Sequence, residues 1–303
     1  ALMAHLGAPA PIAFEVFDDA VLRRANELSF GRHQLPTFDL ARTRYLLNFG
    51  ADILGTWNSP LAHSAGYGAM RRGPSGARGT FVHVEPRLSQ TAASADEWLP
   101  IRPGTEGALA LGLAHVIMAA GLRPATAAGR AGLLIDGWSS GLPAFTPDAV
   151  TAMTGIAATR IERLAHHFAT RTPAVAVIGG APLALGNGLG QALAVNALNA
   201  LVGSVGIDGG VSFMPQPALT AQASRTLPQA LAGPAPELLL LDDVNPVFGA
   251  PPGWKAKEWL LQVPFIVSFG AFLDDTSVHA DLLLPDHSFL EAWTESVPES
   301  GAS

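Results

Sequence analysis

The sequence predicts an α/β protein built from two Rossmann-like domains, each a parallel sheet flanked by helices. Short apolar runs of strand length alternate with longer runs of helical period along most of the chain. Gly, Asn, Asp or Ser stands just after each of the main apolar runs, as strand-to-helix turns require. Composition agrees: 49% of the 303 residues are hydrophobic and 14% charged, which supplies a large core, while 32 Gly and 24 Pro serve many tight connections.

Tyr45 to Phe49 reads as a buried strand that Gly50 ends, and Thr80 to Val84 as a second, closed by Glu85-Pro86. Trp98 to Ile101 is an edge strand, because Pro100 has no N–H to give a ladder. A helix follows from Thr105 to Ala120, with Gly104-Thr105 as its cap and Glu106 favourable to the first-turn dipole. Thr146-Pro147-Asp148 starts a helix that Gly155 ends, and another runs from Ala157 to Thr170 with Ile161, Leu164 and Phe168 on one face. Thr172-Pro173 breaks the pattern, which places a domain boundary there: residues 1–171 form the first domain and 172–303 a second, partial one. That second domain is expected to comprise strands at Ala174–Ile178, Glu237–Leu241, Pro264–Ser268 and Leu282–Leu284. It also holds a helix from Leu189 to Val202, a turn at Asp208-Gly209-Gly210 and an extended loop over 215–236.

The formal net charge of −7 and the isoelectric point near 5.7 argue against nucleic acid as a partner, since a phosphate backbone needs clustered cations. Arg71, Arg72 and Arg78 form the one basic cluster and read as a loop gripping a single anion. The absence of cysteine excludes disulfides, a thiolate nucleophile and a thiolate-held cluster in this segment. The most apolar run, Ala108 to Leu122, is about 15 residues against the roughly 20 that a membrane span needs, so no span is expected. The nine histidines lack metal-ligand spacing: His166 and His167 point to different helix faces, and the His279, His287 and Asp275, Asp281, Asp286 group reads as a solvated loop. No metal site, catalytic residue, nucleophile elbow, phosphate loop or nicotinamide glycine fingerprint is assigned. The ends of the chain carry no signal peptide and read as cut.

In open parallel sheets, ligands bind outside the carboxyl ends of strands. Candidate ligand-binding residues are therefore Gly50, Asp52, Trp57, Asn58 and Ser59 after the first strand, Glu85 and Arg87 after the second, and Gly104, Thr105 and Glu106 before the helix. A carboxylate such as Glu85 can accept from a ribose hydroxyl or a guanine N–H edge, and Arg87 can pair with phosphate. The alternatives are an ordinary turn, a helix cap and internal Glu85–Arg87 or Asp96–Arg102 ion pairs.

The order of these pieces carries more than any one of them. Phe49-Gly50-Ala51-Asp52 and Asn58-Ser59-Pro60 precede Val84-Glu85-Pro86-Arg87, Thr91-Ala92-Ala93, Ala95-Asp96 and Arg102-Pro103-Gly104-Thr105-Glu106. Later come Gly186-Asn187-Gly188, Gly209-Gly210, Asn245-Pro246 and Ala280 to Pro285. This series resembles the central domains of molybdopterin oxidoreductases of the dimethyl sulfoxide reductase type, from about residue 40 onward. The resemblance implies a bis(molybdopterin guanine dinucleotide) cofactor with molybdenum or tungsten, used for two-electron or oxygen-atom transfer. The 50–60 loop, Glu85, Arg87 and the 104–106 loop would hold one guanine dinucleotide. Gly179, Asn187, Asn245, Pro246 and Asp281 would face the other. Many members have Asp where Glu85 and Glu106 stand. The family's cluster-binding cysteines and last domain are not in this sequence, the other half of the second domain would lie upstream, and the nearest carboxylates to the expected metal-ligand position are Glu15, Asp18 and Asp19.

The wording of Thr56-Trp57, Ser59-Pro60 and Val263 to Phe269 is most similar to a branch holding polysulfide-reductase-like subunits and the large iron–sulfur subunit of alternative complex III. This implies iron–sulfur and membrane-anchor, quinone-reactive partner subunits and a periplasmic or membrane-associated location. It also opens a second reading, a cofactor-less scaffold or electron-transfer subunit of a membrane-bound quinone oxidoreductase. A nicotinamide dehydrogenase is disfavoured, for want of the glycine fingerprint.

Overall fold

The computed structural model describes residues 2–9, 11–14, 19–73, 76–125, 127, 130–215, 226–288 and 290–293. The chain divides into two compact units, Asp19–Pro215 and Ala1–Asp18 with Gln216–Val297. After a short helix α1 (Leu2–His5), the larger unit runs α2 (Ala20–Phe30), β1 (Thr37–Phe38), β2 (Tyr45–Phe49), α3 (Pro60–Arg72), β3 (Thr80–Val84), α4 (Gln90–Ala93) and β4 (Glu97–Leu99). It continues with α5 (Glu106–Ala119), α6 (Pro147–Thr154), α7 (Ala158–Thr170), β5 (Ala174–Ile178), α8 (Ala181–Ala184), α9 (Gly188–Leu201) and β6 (Val211–Ser212). The smaller unit holds α10 (Leu227–Leu231), β7 (Leu238–Leu241), α11 (Pro246–Gly249), α12 (Ala256–Leu260), β8 (Phe265–Ser268) and β9 (Leu282–Leu283).

The central sheet of the larger unit has the order β4-β3-β2-β5, all parallel. Its strands are apolar at nearly every position because both faces are covered. Alternate residues Tyr45, Leu47, Phe49, Val82, Val84, Ala174, Ala176 and Ile178 pack against α5, α7 and α9 through Leu113, Ile117, Leu164, Phe168 and Leu198. The intervening Leu46, Phe81, Val175 and Val177 meet Met70 of α3 and Leu40 on the opposite face. Helix starts follow the sequence signals: Thr146 accepts from Ala149 N at 3.4 Å with Pro147 in the first turn, and Gly155 ends α6 in the left-handed region.

One expectation is corrected. Ala174–Ile178 does not open a second sheet; it pairs in parallel with β2 from Tyr45↔Ala174 to Phe49↔Ile178, so the units divide near residue 215 and not at 171/172. The physical reason is the outer edge of β5. Asn199 of α9 accepts from Ala176 N at 2.8 Å and donates to Ala176 O at 2.7 Å, and Ser204 Oγ donates to Ala174 O. One buried amide thus stands in for the next strand, and β5 becomes a closed border of the first sheet. The smaller unit keeps a parallel sheet, β7-β8-β9, with Leu241, Leu260, Val263 and Ile266 in its core. Of the expected loop over 215–236, residues 216–225 lie outside those described, while Leu227–Leu231 is helical, its start fixed by Thr226 N donating to Gln229 Oε1 at 3.0 Å.

The basic cluster is also corrected. Arg71 Nη2 donates to Asp96 Oδ1 at 2.6 Å and Arg78 Nη2 to the same atom at 3.1 Å, so these two cations serve an internal carboxylate that also accepts from Phe81 N. Arg102 binds Ala152 O at 2.6 Å rather than Asp96. Among the described residues no helix is long and apolar enough to cross a membrane, and no group of three His, Cys, Asp or Glu could hold a metal ion.

Replacing Asn199 by Leu leaves Ala176 N–H and C=O buried without partners. The expected loss is about 2–5 kcal/mol, from two orphaned backbone groups, read as a lowered urea midpoint with an unchanged slope.

Candidate functional site

The chain leaves β2 for β3 and β4 on one side and returns to β5 on the other, so the switch point of the sheet lies between β2 and β5. Four loops meet at this carboxyl edge. Asn48, inside β2, starts the first by donating to Ala51 O at 2.6 Å and accepting from Ala51 N at 3.2 Å. Asp52 then accepts from Thr56 N and Thr56 Oγ1, both at 3.1 Å, and from Thr91 Oγ1. Thr91 Oγ1 accepts in turn from Leu54 N at 3.4 Å. Trp57 stacks on His63 with centroids 5.5 Å apart and planes at 13°. Asn58 holds a left-handed turn at φ 57°, and Ser59 stands at the start of α3 without a side-chain cap bond.

Gly50 and Gly179 lie where the loops after β2 and β5 touch. A Cβ on Gly50 would come within 2.8 Å of Pro182, and one on Gly179 within 2.5 Å of Trp57 Nε1. Both glycines therefore admit neighbouring protein groups at the switch point.

Glu85, at the end of β3, is nearly buried. His83 Nε2 lies 3.2 Å from its Oε2, Arg87 Nε donates to Oε1 at 3.1 Å, and Trp98 Nε1 holds its backbone carbonyl at 2.9 Å. Burial alone would raise its pKa, but hydrogen bonds from Ser89, Arg87 and His83 outweigh that and hold it below the ordinary carboxylate value. Burial lowers the His83 pKa despite Glu85, so the neutral ring donates from Nε2 and, among the described residues, leaves Nδ1 without a partner. The internal Glu85–Arg87 pair is thus formed, with Arg87 itself largely exposed.

Glu106 is the contrasting case. It sits 2% exposed at the start of α5, and among the described residues its Oε2 finds no hydrogen-bond partner. Burial raises its pKa even though the amides of Glu106, Gly104 and Thr105 oppose the shift. Around it, Asn187 Nδ2 donates to Gly104 O at 2.8 Å, Gln191 Oε1 accepts from Gly107 N at 3.1 Å, and Gln191 Nε2 reaches Pro182 O and Asn187 Oδ1. Thr105 Oγ1 donates back to Arg102 O at 2.7 Å. Gly50, Asp52, Trp57, Glu85, Gly104, Glu106, Gly179 and Asn187 therefore belong to one cross-linked edge. His83 and Gln191 are partners that sequence reasoning passed over, while Thr91 stood in the motif series without a role. The signal for His83 was its alternation with Phe81 and Val82 in an apolar strand, opposite Asn48 in the ladder.

The smaller unit repeats this construction. Asn245 Oδ1 accepts from Thr276 Oγ1 at 2.7 Å and from Phe248 N at 3.3 Å, and Thr276 Oγ1 accepts from Val247 N at 2.9 Å. Pro246 is the first residue of α11. Asp281 is spent locally, accepting from Ile266 N at 2.8 Å beside β8. Of the carboxylates near the expected metal-ligand position, Glu15 and Asp18 lie outside the described residues.

The molybdopterin oxidoreductase model matches residues 20–297, and the chain belongs to that family. It is 34% identical over 284 residues to the menaquinone reductase molybdopterin-binding-like subunit of Nitratidesulfovibrio vulgaris, covering 88% of this chain and 40% of that one. It is 30% identical to an arsenate respiratory reductase molybdopterin-containing subunit of Chrysiogenes arsenatis, over 68% of this chain and 26% of that one. Acetylene hydratase from Pelobacter acetylenicus has the same fold, with a TM-score of 0.69 and 20% identity over 92% of this chain and 45% of that structure. The chain thus spans less than half the length of these relatives. The family carries a molybdenum–molybdopterin cofactor, as the resemblance implied.

The two glutamates should respond oppositely to pH. Glu85 has a lowered folded-state pKa, so its stabilisation is present above the ordinary carboxylate range and is lost as pH falls through the folded value. Glu106 has a raised one, so its ionised form costs stability at neutral pH and the cost fades in acid. Expected in chemical denaturation of the unliganded chain: Glu106→Gln raises the midpoint at neutral pH, a difference that shrinks as pH falls to the ordinary carboxylate value of about 4.3, whereas Glu85→Gln lowers it, a difference that persists there and shrinks only at still lower pH.

Proposed function

We propose that the carboxyl edge of the larger unit holds the nucleotide end of a molybdopterin guanine dinucleotide, within a longer protein that catalyses two-electron or oxygen-atom transfer. The observation that carries this reading is Glu106 Oε2, a buried acceptor without a donor at the strand ends. A carboxylate has about four lone-pair sites. On Glu85, His83 and Arg87 take one each and Ser89 bonds the group as well, so little acceptor capacity is left. Glu106 Oε2 has both of its own free, and the paired N–H donors of a guanine edge match that capacity. The exposed guanidinium face of Arg87 suits a phosphate, and the start of α5 favours negative charge there. When bound, the cofactor supplies the two-electron or oxygen-atom chemistry at its metal. The residues named here would hold and orient it, and Asp52 and Thr91 would keep the neighbouring loop in place. In the smaller unit, the Asn245–Thr276 edge is proposed as the counterpart for a second dinucleotide, and iron–sulfur and quinone-reactive subunits as the electron-transfer partners.

A second reading, a cofactor-less scaffold, is favoured by one observation: Asp52 and Glu85, both expected to face ligand, are engaged by internal donors.

In the intact protein, guanine nucleotide released by acid should fall most strongly in Glu106→Ala and less in Glu85→Ala, with circular dichroism unchanged. Full retention in Glu106→Ala overturns the assignment. A purified unmutated protein without pterin, molybdenum or tungsten establishes the scaffold reading.

A further inference from the structure

A second feature of the larger unit lies away from the carboxyl edge and is independent of the cofactor reading. Beyond the C-terminal end of α5, the chain forms a cavity of about 490 Å³, lined by Met118, Arg123, Arg130, Leu133, Trp138 and Ser139. Its volume falls within the roughly 300–1,000 Å³ of small-molecule sites. One wall is fixed: Trp138 lies against Gly132, where a Cβ would come within 1.9 Å of the indole. The opposite character comes from the two arginines. Arg123 is tethered by a hydrogen bond from Nη2 to Ala127 O at 2.6 Å, so its guanidinium is held in place with donors to spare. Among the described residues no acidic side chain lines the cavity and neither arginine is ion-paired.

Two uncompensated cations beside an indole stand out in a chain of net charge −7, where Arg24, Arg42, Arg71, Arg78, Arg87, Arg160 and Arg163 each meet a carboxylate. Guanidinium pairs with carboxylate through two parallel hydrogen bonds, while the indole, Met118 and the 63% exposed Leu133 offer apolar surface. We propose that this cavity binds a small aromatic carboxylate, with its anionic group on Arg123 and Arg130 and its ring against Trp138.

Equilibrium dialysis of the full chain tests this, with 1-naphthoate as the probe and 1-naphthalenemethanol as its uncharged counterpart. Expected are saturable binding of naphthoate at one site and at least tenfold weaker binding of the alcohol. Arg123→Gln and Arg130→Gln change exposed side chains and should leave circular dichroism unaltered while each weakens naphthoate binding roughly tenfold. Trp138→Leu should weaken naphthoate but leave acetate binding at its weak level. The proposal is overturned if naphthoate fails to bind, if acid and alcohol bind alike, or if both glutamine variants bind as the unmutated chain does.

Discussion

The pairing of β5 with β2 is the interaction on which the larger unit depends. It joins a strand near residue 175 to one near residue 47, and it creates the switch point where the 50–59 and 179–187 loops meet. The pairing holds because the far side of β5 needs no further strand. Asn199 and Ser204 meet its free carbonyls and amide from within the chain, so α9 is bound to the sheet by hydrogen bonds as well as by apolar contact. Without that seal, β5 would be an open edge under a helix, with buried polar groups unmet.

Carboxylates at the strand ends divide into two kinds, and chemistry follows the division. Asp52, Glu85, Asp96 and Asp281 are engaged by donors from their own unit and act as structural anchors. Among the described residues Glu106 is buried with acceptor capacity left over, an arrangement that costs folding energy. A chemically similar pair, each close to the end of a strand, thus has opposite electrostatic character, set by whether side chains such as His83 and Arg87 reach the oxygens.

Strand and helix positions were legible in the sequence because they rest on local period, caps and turn residues: Thr146-Pro147 and Gly155 bound α6 as expected. Family membership was legible in the order of short motifs. The sheet to which Ala174–Ile178 belongs was not, since Thr172-Pro173 marks a break without saying which edge receives the next strand; that is settled by Asn199 and Ser204, far along the chain. Arg71 and Arg78 looked like a ligand grip because their partner Asp96 is remote in sequence. The internal use of Glu85 was partly visible, in that Arg87 lies two residues away, but the third donor, His83, sat in an otherwise apolar strand.

In both units a side chain after one strand is tied to a threonine after the next strand, Asp52 to Thr91 in one and Asn245 to Thr276 in the other. Neighbouring loops so joined are coupled through a side-chain hydrogen bond. A molecule arriving at either edge meets a stiff rim whose conformational freedom was surrendered during folding, so association there loses little further loop entropy. The same ties carry a penalty for change: a ligand that needed one loop to open would have to displace two, so each edge is suited to guests that match its resting shape.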